Sequence, residues 1–408
     1  MPTQETLTLD LLNQASRPGG PSALTATTHL APAGGEQSLV APAKYTARGQ
    51  DGSVYLYEDR YLNGELKRTV LIDARTSVAN RMEDALNLAI HDGHELLEKL
   101  PRVAVEYPGA DGQEAITLTD TDLPHRLFDA HLRLATKDGQ PVTATEQYRN
   151  ARNATPGNAK ALLDLSPISI LFGSWDSTRK SNQVRFPSAI VGEIIGVIGD
   201  RQDEAAPTKR SGARIDPVGA KIQVKPEAAR EIAETQKAEI SEKQYKKLTG
   251  KRTDDKNVSG AELGLGAIPP SSEALDGIAT SDIIRTYVLS FSTLRRLRFG
   301  TGPDGDAAIR ALLAALAINA MVRNDSELNI RANCHLVETE EPQITLDLRH
   351  GNSATIKPLT IEDADQLLQD AYNQAKDKAD IEWNGQVFTV QGNPAITANA
   401  SDQEDQAE

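Results

Sequence analysis

Gly300-Thr301-Gly302-Pro303-Asp304-Gly305 spells G-x-G-x-x-G ahead of an apolar run. In a dinucleotide site, such glycines let the backbone and a helix N-terminus approach a pyrophosphate. Here Asp304 and Asp306 would stand where the phosphates must sit, and Pro303 removes a backbone donor. The motif reads better as a turn before a buried helix, with a dinucleotide-binding enzyme kept as an alternative. His91-Asp92-Gly93-His94 resembles a metal pair but has no obvious third ligand nearby, and an exposed helix end is the better reading. Cys334-His335 sets a thiol beside a base, yet neighbours on a strand point to opposite faces and cannot share the needed hydrogen bond. No P-loop, G-x-S-x-G elbow, H-E-x-x-H or paired-carboxylate motif occurs. Neither an enzyme nor a cofactor or metal is expected.

Two other clusters carry polar chemistry of a different kind. Asp73-Ala-Arg75-Thr-Ser77-Val-Ala-Asn80-Arg81 lies where a strand should pass into a helix. Helix N-termini bearing Ser, Asn and Arg are natural phosphate seats, and a capped helix with surface arginines is the plainer reading. Phe172-Gly-Ser-Trp175-Asp-Ser177-Thr-Arg179-Lys180 continues through Asn182 and Gln183 to Arg185. A Trp flanked by hydroxyl residues and followed by cations can stack a base and hold its phosphates; Trp175 anchoring a core is the competing account.

The elements that must position these residues follow from periodicity. Residues 1–50, rich in Pro, Gly, Thr and Ala, read as irregular chain. Ser53–Glu58 and Arg68–Asp73 form a predicted β pair around Asn63-Gly64. Val78, Met82, Leu86 and Ile90 recur at helical spacing, with Thr76 or Ser77 as the expected cap. Arg102–Glu106, Ala115–Leu118, Ile168–Phe172 and Phe186–Val197 read as extended, whereas Pro124–Leu134 and Thr145–Leu165 read as helical, the latter broken at Pro156-Gly157. Within Ile283–Phe299, Ile284, Tyr287, Val288, Phe291 and Leu294 fit a helix, while Leu294–Phe299 could equally be a strand. Asp306–Val322 predicts a buried helix, Leu328–Val337 and Gln343–Leu348 strands, and Thr360–Lys378 an amphipathic helix opened by Thr360 and Asp363. Strands and helices mix without a βαβα beat, so the fold class is α+β: a sheet palm with long insertions.

The 408 residues carry 44 Lys+Arg and 58 Asp+Glu, a net charge of −14. Taken whole, that disfavours a polyanion partner. The acidity is local, however: residues 301–408 hold 7 Lys+Arg against 19 Asp+Glu, while Lys209–Lys256 holds 13 against 8. One cysteine excludes an internal disulfide framework and multi-cysteine metal sites. The longest apolar run, Ala311–Val322, is too short to span a bilayer, and no signal peptide is evident, so no membrane partner and a cytoplasmic location are expected. The predicted organisation is an irregular segment at 1–50, a palm with fingers at 51–200 and 271–350, a basic insertion at 201–270, a helix and strand at 351–395 and an acidic tail at 396–408.

Several stretches together resemble the backbone subunit of type I-G (formerly I-U) CRISPR Cascade complexes, a member of the RAMP superfamily. They are Pro32-Ala-Gly-Gly35-Glu36 with Ala41-Pro42-Ala43-Lys44-Tyr45; Val70-Leu-Ile-Asp73 through Ser77, Ala79-Asn80-Arg81 and Glu83; and His125-Arg126 with Phe128-Asp129-Ala130. Leu171-Phe-Gly-Ser-Trp175-Asp-Ser177, Ser188-Ala-Ile-Val191-Gly192-Glu193, Leu289-Ser290 with Leu294-Arg295-Arg296-Leu297-Arg298-Phe299, and Leu328 to Leu336 follow in order. The family usually shows Asp-Ser where this chain has Asp73-Ala74. The resemblance implies an RRM-like (ferredoxin-like) palm with finger and thumb insertions, the 201–270 segment being a thumb or finger. It also implies a non-catalytic subunit whose copies polymerise along the guide spacer of a crRNA and present bases to target DNA. Its implied partners are crRNA, target DNA, further copies of itself, the large and guide-processing Cascade subunits, and a helicase-nuclease recruited on target binding. In that picture Arg75, Ser77, Asn80 and Arg81 seat guide phosphates at the first helix; Trp175, Ser177, Arg179, Lys180 and Arg185 form a second contact, and Arg295, Arg296 and Arg298 a third. Type III relatives cut RNA with an acidic residue, which makes an RNA-cleaving subunit using Asp73 or Asp176 the alternative.

Overall fold

The computed structural model describes residues 4–46, 53–109, 115–180, 183–198, 208–211, 216–219, 221–237, 239–250, 257–267 and 271–397. The chain is α+β, with several sheets and helices of very unequal length. It divides into one unit built from residues up to 201 with 279–393, and another from 202–278 with 394–408. The predicted acidic tail lies almost wholly outside the described residues.

The first unit is organised on a sheet of β1 (Ala23–Pro32), β2 (Tyr57–Leu62), β3 (Glu65–Asp73), β4 (Ile190–Val197), β5 (Asp282–Ser290), β6 (Leu336–Glu338), β7 (Gln343–Arg349) and β8 (Asn352–Ile356). Its order is β8-β7-β1-β5-β4-β3-β2, every neighbour antiparallel, with β6 also on β1. Three helices accompany it: α1 (Arg75–His91), α2 (Gly302–Ser326) and α3 (Ile361–Ala379). The succession β1-α1-β4-β5-α2-β7 therefore runs strand-helix-strand-strand-helix-strand, and its strands lie across the sheet as β7-β1-β5-β4. The β2–β3 hairpin extends the β4 edge. Asn63 (φ 51°) and Gly64 (φ 81°) make its two-residue turn, both in the left-handed region that such a turn demands.

One sheet face is buried beneath the helices. Leu24, Ala26, Thr28 and Leu30 of β1 and Ile283, Arg285, Tyr287 and Leu289 of β5 point there. α1 approaches so closely that a Cβ on Gly192 would lie 2.5 Å from the Tyr287 ring and 2.8 Å from Val78 Cγ1. α2 packs against α1 and α3 and is apolar on nearly every side. By length and composition it could cross a membrane, and its most apolar 18-residue stretch is wholly buried within the protein. A second, five-stranded sheet pairs Val387–Gln391 in parallel with Arg102–Tyr107. In the other unit, helices Pro226–Thr235 and Glu242–Thr249 enclose a small core of Ala229, Ala233, Leu248 and Val258.

The structure corrects five sequence expectations. Residues 1–50 are not irregular throughout: they supply helix Leu9–Ala15 and the central strand β1. β1 turns Ala26 and Thr28 inward beside Leu24 and Leu30, so its alternation is muted. Ile283–Phe299 is strand up to Ser290, where Arg285 and Tyr287 face the helices while Ile284 and Val288 face outward, and helical only over Phe291–Leu294. Ile168–Phe172 belongs to a short helix, Pro167–Leu171, opened by Ser166, whose hydroxyl accepts from the Ser169 amide. α1 is flanked by Ala74, not capped by Thr76 or Ser77, which lie within its first turn. Of Leu328–Val337 only the end is strand, after a turn at Asn333 (φ 59°).

Candidate nucleic-acid interface

Trp175 sits on a two-residue strand, Ser174–Trp175, paired antiparallel with Arg185–Phe186. Phe172 and Phe186 fill the core beside it, which leaves Trp175 46% exposed and ends its reading as a core anchor. The Arg185 guanidinium lies over the indole, 5.5 Å from the ring centroid, in the geometry of a cation–π pair. Gly173 makes the preceding turn at φ 84°; a Cβ there would come within 2.7 Å of Ser188 Oγ and 2.9 Å of the Phe186 carbonyl. Behind this hairpin opens a cleft of about 800 Å³, lined by Asn153, Thr155, Pro156, Arg179, Gln183 and Arg185. Arg179 is held on its wall, donating to the Arg152 carbonyl (3.1 Å) and Asn153 Oδ1 (2.5 Å). Gln183 donates to the Ser177 and Arg179 carbonyls, fixing the turn that exposes Ser177 and Lys180. Asp176 points the other way, buried, with Arg152 Nε 2.8 Å from its carboxylate.

The first predicted group is divided in its commitments. Arg75 is 67% exposed on the first turn of α1, with its Nε 3.5 Å from Glu193. Arg60 grips the same carboxylate and holds it below the usual range. Asn80 is exposed, and Ser77 accepts from Arg81 Nη2 at 3.3 Å. Arg81 itself is engaged internally: it donates to buried Asp73 (2.9 Å) and to the Asn329 carbonyl (2.5 Å). Arg331 takes the other side of Asp73 at 2.9 Å. Asp73 is thus a buried junction between two guanidiniums, not a carboxylate presented to solvent.

The third group splits likewise. Arg295 donates to the Ala15 and Pro21 carbonyls, tying down the chain before β1; Arg296 and Arg298 are exposed, and Arg298 Nη1 donates to the Arg295 and Leu297 carbonyls at 2.6 and 2.9 Å. The backbone of Arg298 binds the Pro156 carbonyl and the Ala159 amide, each at 2.8 Å. That places this segment beside the cleft of the Trp175 hairpin. Sequence reasoning gave no role to the residues that join α1 to the same hairpin. Arg126, at φ 49°, clasps buried Glu83 of α1 with two bonds of 2.6 and 2.7 Å and donates to the Gly173 carbonyl at 2.7 Å. Their only signal was membership of the matched stretches Glu83 and His125-Arg126. Burial pushes the Glu83 carboxyl up to about 7, against the opposing pull of Arg126.

The other motifs are occupied within the fold. Asp306 accepts from the Phe299 and Thr301 amides at the Gly300–Gly305 turn, and Arg17 meets Asp304 at 2.6 Å. His94 faces Asp365 at 3.2 Å and accepts from the Leu97 amide. Cys334 is buried while His335 is exposed, and burial raises the thiol to about 11. Among the described residues no three His, Cys, Asp or Glu side chains converge as a metal site.

No curated protein matches the chain. Residues 24–199 match the model of a family described as CRISPR-associated protein GSU0053. That segment contains β2 to β4 and nearly all of β1, α1, the Glu83–Arg126 clasp and the Trp175 hairpin, and over it the chain is similar to this CRISPR-associated family.

Proposed function

We propose that the chain is the guide-RNA-binding backbone subunit of a type I-G Cascade complex, non-catalytic and cytoplasmic, with copies arrayed along a crRNA spacer to present its bases to target DNA. The observation that carries this reading is the exposed Trp175–Arg185 pair, whose arginine lines a cleft together with Arg179, Asn153 and Gln183. An indole face under a guanidinium stacks an unpaired base of any sequence, while Arg179, Lys180, Arg296 and Arg298 answer the phosphates around it. Arg75 and Asn80 extend the surface from α1, and Arg81 and Arg295 hold its scaffold. The β1-α1-β4-β5-α2-β7 core, with its β7-β1-β5-β4 order, supports an RRM-like palm, and the 202–278 unit the thumb or finger. The partners that follow are the large and guide-processing subunits and, on target binding, a helicase-nuclease.

Co-expression with a repeat-spacer transcript tests the reading. The chain should co-purify as a multimer bearing RNA of spacer-scale length; an RNA-free monomer would overturn it. Against RNA cleavage stand the ion-paired, buried Asp73 and Asp176. Complementary RNA offered to the assembled complex with divalent metal should stay intact. Cleavage abolished by Asp73→Ala or Asp176→Ala would replace this proposal with a cutting subunit.

A further inference from the structure

Between α1 and the C-terminal end of α2 lies an open groove of about 520 Å³, away from the Trp175 cleft in its lining residues and opposite in its charge. Leu88 stands in it 53% exposed, the only large apolar side chain of α1, α2 and α3 so exposed among the described residues. Ile361, at the start of α3, adds a second apolar wall. The two cations of the lining are already engaged: Arg81 by Asp73, and Arg323 by both oxygens of Asp365 at 2.6 and 2.9 Å. The carboxylates Asp84, Asp92 and Glu327, by contrast, are exposed along the rim. Partial burial pushes the Asp84 carboxyl up, with Asp122 adding to it against Arg81, and an incoming cation would relieve that.

This chemistry repels a phosphate backbone and favours a partner bearing ammonium or guanidinium groups around an apolar anchor. A groove between helix ends holds a few side chains of a short segment rather than a broad surface. The CRISPR-associated family that residues 24–199 match implies work within a Cas complex, which would supply protein partners. We propose that this groove docks a short basic segment of another protein subunit, its apolar side chain against Leu88 and Ile361 and its Lys or Arg side chains facing Asp84, Asp92 and Glu327. The proposal does not depend on how guide RNA is held.

A labelled peptide of repeated Lys-Leu-Ala-Lys, titrated by fluorescence anisotropy against the full chain, supplies the test. It should bind saturably and weaken with salt, while the matching Glu-for-Lys peptide should not bind. Leu88→Asp, and separately the double variant Asp84→Lys with Asp92→Lys, should each lower affinity by about tenfold or more. All three positions are exposed, and unchanged thermal melting verifies folding. Equal peptide binding by wild type and both variants would overturn the proposal, as would no binding at all. Displacement of the peptide by a single-stranded RNA would give the groove to nucleic acid instead. Concentration-dependent self-association lost in Leu88→Asp would give it to a second copy. Either result rejects the subunit segment.

Discussion

Arginines near the proposed RNA surface divide by what their guanidiniums already hold, and the division predicts which substitutions affect binding and which affect folding. Arg185 is exposed and leans on Trp175; Arg81 is bound to a carboxylate with no exposure of its own. Arg185→Ala should weaken retention of guide RNA and flatten its salt dependence by about one phosphate contact while leaving thermal stability within about 0.5 kcal/mol. Arg81→Ala should instead cost on the order of 2 kcal/mol of stability, because Asp73 stays buried with Arg331 as its remaining ion-pair partner. Chemical denaturation and RNA binding measured on both variants separate these effects; equal salt slopes for Arg81→Ala and Arg185→Ala would return Arg81 to the phosphate contacts. Glu83 adds a pH dependence. Its carboxyl titrates near 7 in the fold against an ordinary value of 4.5, so between those limits the folded chain binds more protons than the unfolded one. Stability therefore falls as pH rises through that window, by about 3 kcal/mol for this group, and none of the loss is present below it. Asp120 and Asp325, raised by burial to about 6, slope the same way. Glu83→Gln should flatten the decline of melting temperature from about pH 5 to about pH 8; an unchanged slope would show that Arg126 keeps Glu83 ionised throughout.

Two glycines set the elements in place. Gly192→Ala puts a methyl between β4, the Tyr287 ring and Val78, which must push α1 off the sheet. A loss of roughly 1–3 kcal/mol is expected, of the kind that overpacking produces. Gly173→Ala adds left-handed strain to a clash with Ser188 and Phe186 in the turn before Trp175, so RNA binding should fall along with stability. Binding unaffected in folded Gly173→Ala protein would mean that the hairpin's position is immaterial to the RNA. These elements were legible in the sequence to different degrees. The Asn63-Gly64 hairpin, α1, the α2 core and the Thr360–Asp363 capping box follow from local signals, since turn chemistry, 3.6-residue periodicity and capping act within a few residues. β1 and β5 do not, because their inward positions include Thr28 and Arg285, made tolerable only by distant partners: Arg285 reaches Asp325 at 3.0 Å and Glu338 at 2.5 Å. Trp175 was legible as chemistry, but its exposure depends on Phe172 and Phe186 taking the core. The Glu83–Arg126 clasp spans 43 residues of sequence, and no periodicity announces such a pair.

Across the whole molecule, the −14 charge and an RNA-binding role are compatible because charge is segregated along the chain. Residues 1–300 are close to balanced, and residues 301–408 carry −12 of the total. In the described part of that acidic stretch many carboxylates are bound into the fold, as Asp306, Asp325 and Asp365 are. The last eleven residues hold Asp402, Glu404, Asp405 and Glu408 and no cation. An acidic run of this kind competes with RNA for basic side chains, and it does so more effectively against loosely held, nonspecific RNA than against a guide held by stacking as well as charge. Deleting residues 398–408 should therefore tighten binding of an unrelated single-stranded RNA severalfold at low salt and change guide retention little. The difference should vanish once the Debye length shrinks to about 3 Å near molar salt. Filter binding of both RNAs across a salt series measures it, and equal affinities at every salt concentration would show that the tail's charge has no bearing on RNA selection.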